Sequence, residues 1–63
     1  ALTDRERDVL RNLIRGHSSK DIGTVLGISP RTVEVHRASL IAKLAARSTA
    51  DAVRIGIYGG LDD

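Results

Sequence analysis

Gly27-Ile28-Ser29-Pro30 compresses a helix stop, a turn and a helix start into four residues, and no other feature restricts the fold as tightly. Glycine after a helical run takes the left-handed conformation that closes the helix. Ser29 caps the free amides of the next helix, and proline at its first position lacks an amide that would be orphaned there anyway. Only Gly27, Ile28 and Ser29 separate the two helices. Helices joined by such a glycine-containing turn cross at about 90–120°, the helix-turn-helix geometry, provided an apolar turn residue tucks inward. Ile28 is that residue.

The same punctuation divides the rest of the chain. Thr3 with Glu6 is a capping box, which predicts helix 1 over Asp4 to Arg15 with Gly16 as its stop. Ser18 with Asp21 opens helix 2, expected from Ser19 to Leu26. Helix 3 starts at Pro30 and meets no breaker until about Ala46. Ser48 with Asp51 opens helix 4, which ends near Tyr58 before Gly59-Gly60. No run of five or more residues alternates as a half-buried strand does. The expected fold class is therefore all-α, four helices in one domain over residues 1–63. The links are too short for a second domain, and the abrupt start, with only Ala1 and Leu2 ahead of the first cap signal, suggests the C-terminal part of a longer protein.

At about 100° per residue the apolar positions fall into stripes. Helix 1 offers Val9, Leu10, Leu13 and Ile14, helix 2 offers Ile22, Val25 and Leu26, and helix 3 offers Val33, Leu40, Ile41 and Leu44. With Ile28, Val53 and Leu61 these make a single core. Two charges break the pattern. Glu6 lies near the centre of the apolar face of helix 1, and Arg37 fills the gap in the helix 3 stripe. A desolvated charge without a partner costs several kcal/mol, so one reading pairs Glu6 with Arg37 between the helices. The other leaves Glu6 as a cap while Arg37 snorkels to the rim.

The far side of helix 3 presents Arg31, Glu34, Val35, Ala38, Ser39 and Ala42. Its centre is short-chained and its flanks carry Arg31, Arg37 and Lys43. Small residues allow close approach to a surface, and a cationic rim suits a polyanion. Composition narrows the alternatives. The 63 residues contain no cysteine, which excludes disulfides and thiolate metal sites, and two histidines are too few for a metal cage. Tyr58 is the single aromatic, so base-stacking platforms are absent. No apolar run approaches the ~18 residues of a membrane span and no leader pattern is seen. Ten Lys and Arg against eight Asp and Glu give a net charge of +2, compatible with nucleic acid without requiring it. No nucleophile–base pair, carboxylate pair or phosphate-binding glycine loop points to an enzyme, and no cofactor is expected.

A resemblance now adds to this reading. Leu2-Thr3, Arg5-Glu6-Arg7, Val9-Leu10, Gly16, Ser19-Lys20-Asp21-Ile22-Gly23, the run Ile28 to Arg37 (ISPRTVEVHR) and Lys43-Leu44 closely resemble the LuxR/FixJ-type helix-turn-helix domain. The match spans nearly the whole chain and is nearest to the response-regulator branch. Gly23 departs from the family's usual alanine, at a cost of ~1 kcal/mol of helix stability. Asp62-Asp63 are not a family feature.

The resemblance implies sequence-specific binding of double-stranded DNA by a bacterial transcription regulator, the effector domain of a two-component response regulator. Helix 3, about Pro30 to Ala46, would enter the major groove, and a dimer would bind two half-sites. Base contacts then fall on Glu34, Val35 and Ala38, with Arg31 beside them at the outward, early end of the helix. Backbone contacts fall on Lys20, Thr32, His36 and Lys43. Lys20 opposes its helix dipole and so is not there for helix stability. Thr32 has the plain alternative of an ordinary N3 residue, and His36 that of a histidine bonded to a carbonyl. Helix 4 is the family's dimerisation element, with Ala50, Arg54 and Ile57 facing outward for a weak homodimer. RNA polymerase is a further implied partner, and the place of action is the bacterial cytoplasm, on the nucleoid. The rival expectation is a helical protein-interaction module that does not bind DNA.

Overall fold

Four cap signals give four helices: α1 (Asp4–Ile14), α2 (Ser19–Leu26), α3 (Pro30–Lys43) and α4 (Thr49–Tyr58). The structure, a computed structural model, describes residues 1–60, and among these none is in a strand. Leu61, expected in the core, and Asp62-Asp63 lie outside the described residues. The capping box forms as the spacing predicts. Thr3 Oγ1 accepts from the Glu6 amide at 3.1 Å, and the Thr3 amide donates to Glu6 Oε1 at 2.8 Å. Ser18, Ser29 and Ser48 each accept from the amide three residues on.

The helix ends are less legible than the starts. Helix 1 closes at Ile14, with Arg15 as its C-cap. Helix 3, expected to reach about Ala46, stops at Lys43 because Ala45 turns left-handed at φ 53°. The Ala45 amide then donates to Ala42 O at 3.1 Å and the Ala46 amide to Ile41 O at 3.0 Å. That pair of bonds is a Schellman closure, built here without the customary glycine.

Val9, Leu10, Ile22, Val33, Leu40 and Ala52 are fully buried, and Leu2, Leu13, Ile14, Leu26, Ile28, Ile41, Leu44 and Ala46 pack around them. Ile28 thus lies against the core as the turn geometry requires. Val25, expected inside, is 62% exposed. The reason is Gly23, which is buried against the turn: a Cβ there would lie 2.6 Å from Ile28 O. Helix α2 has rolled to bring Gly23 to the turn, and Val25, about 200° further round, is left in solvent. Glycine's local cost therefore has a tertiary return in a close α2–turn approach. At the other end of the core α4 meets α1 through Ala52 and Gly56. A Cβ at Gly56 would come within 3.0 Å of Ile14 Cδ1 and 3.1 Å of Leu10 Cδ2.

Candidate nucleic-acid interface

The three-residue turn fixes α3 across α2 and sets which residues of α3 are free. Val33 and Leu40 are buried, so the opposite side projects outward. Arg31, Thr32, Val35, Ala38 and Ala42 are exposed on it, with Val35 at 62%, and Lys43 is exposed at its α1 edge. Glu34, His36 and Arg37 are half-buried along its edges, and Lys20 is exposed on the first turn of α2. The exposed side of α3 thus has a short-chained centre with Arg31 and Lys43 at its margins. Ser39, expected on this face, is half-buried and turned to α1.

The off-pattern charges are both engaged, but not with each other. Glu6 is 3% exposed and does cross to α3. Its Oε1 accepts from Lys43 Nζ at 2.9 Å and its Oε2 accepts from Ser39 Oγ at 2.5 Å. Arg37 instead donates to Glu34 on its own helix and, through Nη1, to Thr49 Oγ1 at 2.7 Å. The Glu6–Arg37 pair is corrected on geometric grounds. Ser39 and Lys43 stand one turn apart on the stripe facing α1, whereas Arg37 lies about 200° round the helix from Ser39. The Ser39 hydroxyl, then Lys43 and the Thr3 amide, lower the Glu6 carboxyl from 4.5 to about 2.

Other candidates also have partners within the fold. Thr32 supplies its amide to Ser29 Oγ, and its hydroxyl lies 3.0 Å from the same oxygen. Lys43 is the residue that joins Glu6. Glu34 accepts from Ser19 Oγ at the start of α2 and from Arg37, and these contacts, Ser19 first, hold its carboxyl below the usual range. Sequence reasoning missed Ser19, Ser39 and Thr49. Each is a small hydroxyl whose local pattern resembles a surface residue, so only the helix crossing reveals its partner.

On α4 the residues expected outward are exposed: Ala50, Arg54 and Ile57, the last at 45%. Asp51 orders this face. It accepts from the Arg47 amide at 2.9 Å and takes Arg54 Nε and Nη2 at 3.1 and 2.7 Å, which lowers its own pKa and raises that of Arg54. The Arg54 guanidinium also sits 5.8 Å from the Tyr58 ring centroid. No helix among the described residues is long and apolar enough to cross a membrane.

Two helices set across one another by a glycine turn, with the second exposed on a helical core, define a DNA-binding helix-turn-helix domain. Residues 1–55 match the family described as bacterial regulatory proteins, luxR family, and the chain belongs to that family. It is 49% identical over 59 residues to the transcriptional regulatory protein FixJ of Rhizobium meliloti (strain 1021), covering 94% of this chain and 29% of that protein. Over 47 residues it is 53% identical to the nitrate/nitrite response regulator protein NarP of Escherichia coli (strain K12), covering 75% of this chain and 22% of that one. A solved structure of VqmA bound to DPO superposes with a TM-score of 0.93 at 35% identity, over 98% of this chain and 31% of the other. The chain spans less than a third of the length of these relatives. The expected fold class and the resemblance to LuxR-type domains are both borne out.

Proposed function

We propose that this domain is the effector of a two-component response regulator and reads duplex DNA with α3 in the major groove. The observation that carries the reading is the exposed face of α3: Val35, Ala38 and Ala42 at its centre with Arg31 and Lys43 at its edges, while Lys20 is exposed on the first turn of α2. Short side chains admit close approach to base edges, while cations at the margins meet phosphates. Arg31, Glu34, Val35 and Ala38 are the base-contacting set. Ala38 is too short for a hydrogen bond and offers contact with a thymine methyl. Lys20, Thr32, His36 and Lys43 contact the backbone, Lys43 while sharing its ammonium with Glu6.

Two copies bind two half-sites, joined weakly through Ala50, Arg54 and Ile57. The protein acts without catalysis in the bacterial cytoplasm, on the nucleoid, with RNA polymerase as a further partner. Relatives that extend well beyond the matched region support its place within a longer regulator.

Selection from a pool of randomised duplexes tests the reading. A recovered motif with two related halves and a linear fall of log affinity with log salt are expected. Failure to enrich any motif, with no salt-dependent binding, would instead favour a protein-interaction module.

A further inference from the structure

Four side chains from three helices form one chain of contacts. Ser19 opens α2, Glu34 and Arg37 lie one turn apart on α3, and Thr49 opens α4. Ser19 Oγ donates to one oxygen of Glu34, Arg37 Nη2 donates to the other, and Arg37 Nη1 donates to Thr49 Oγ1 at 2.7 Å. From these contacts we infer that Arg37, helped by Ser19, is a positioning residue that holds the Glu34 carboxylate in place to read one base pair. The inference rests on the DNA-binding reading above.

The physical case begins with what the contacts leave free. An ionised carboxylate has about four acceptor positions, and two donors occupy one on each oxygen. One position per oxygen remains for a donor in the groove, such as the N4 amine of cytosine. Without tethers, a glutamate on an exposed helix samples many rotamers and is repelled by phosphates. Fixed between α2 and α3 it has less freedom to lose on binding, and the guanidinium offsets its charge. Arginine suits the task because its planar fork serves two partners in different directions, as Glu34 and Thr49 require here, whereas lysine is a flexible point charge. The contact with Thr49 anchors the fork to α4, so the support comes from the scaffold rather than from α3 alone.

The test uses the 63-residue chain and the duplex it selects from a randomised pool, with every single base-pair variant of that duplex. Glu34→Ala should lose roughly ten-fold in discrimination at one base pair. Arg37→Lys and Ser19→Ala should each lose several-fold at that same base pair and at no other. Glu34→Ala with Arg37→Lys should be no worse than Glu34→Ala alone, since the second residue acts through the first. Unchanged discrimination in both Arg37→Lys and Ser19→Ala overturns the inference. So does a uniform loss with Arg37→Gln that lowers the salt slope by about one, which makes Arg37 a phosphate contact. Equal loss at every base pair makes the network merely structural. If Glu34→Ala alters no base pair, the base-reading role of Glu34 itself is wrong, and absence of any selected motif removes the DNA reading beneath it.

Discussion

Glu6 shows how one residue can serve both a helix start and the core. Its carboxylate closes the capping box and also receives Lys43 and Ser39 from α3. Because its pKa falls to about 2 on folding, the stability it contributes is complete above about pH 5 and is lost as pH drops toward 2. Glu6→Gln should therefore flatten the acid limb of stability, by up to one proton's uptake, in denaturant titrations between those limits. An unaltered acid limb would show that the carboxylate gains nothing from its partners. Ala45 is the opposite case, a residue at odds with its conformation. Its φ of 53° suits glycine, and a left-handed alanine costs ~1–2 kcal/mol. Ala45→Gly should stabilise by about 0.5–1 kcal/mol after glycine's greater unfolded-state entropy is subtracted. Thermal unfolding would register this as a rise of several degrees. That Glu6 was unusual is visible in the sequence, since a charge interrupts an apolar stripe. Its partner is not visible, because Arg37, Ser39 and Lys43 all lie within reach of a helix whose rotation is unknown.

Helices in this chain announce their beginnings better than their ends. A Ser or Thr hydroxyl three residues before its amide donor is a local device, and all four starts obey it. The end of α3 depends on Ala45 adopting a conformation its type disfavours, so no local signal marked it. The roll of α2 was likewise hidden. Apolar spacing favoured burying Val25, whereas Gly23 took the inner position because the turn backbone needs its missing Cβ. For α4 the question was which side packs inward, and Ala52 with Gly56 answers it. Ile57 on the exposed side leads to a direct test. Ile57→Asp should weaken binding to a duplex with two half-sites and spare a single half-site, as measured by titration of both. Equal loss on the two duplexes would place Ile57 in the fold rather than between copies. The free domain should associate weakly, since one helix face is far smaller than the ~1,200 Å² of a stable interface.

At the scale of the whole molecule, a net charge of +2 supplies little long-range attraction, so affinity must come from where the cations stand. Lys20→Ala should weaken all sequences alike and reduce the salt slope by about one in binding measured across salt concentrations, because a phosphate contact carries no sequence information. A change in the preferred motif would move Lys20 to the base-reading set. The sequence by itself determined the four helices, the three-residue turn, the inward Ile28 and the exposed, cation-edged face of α3. Each depends on residues within a turn or two of one another, through capping, backbone conformation or helical period. The tertiary structure alone decided the partners of Glu6 and Arg37, the roll of α2 about Gly23 and the tethering of Glu34 to α2 through Ser19 and, by way of Arg37, to α4. Those depend on the rotation and approach of packed helices, which follow from the sum of all core contacts and are written in no single stretch of chain.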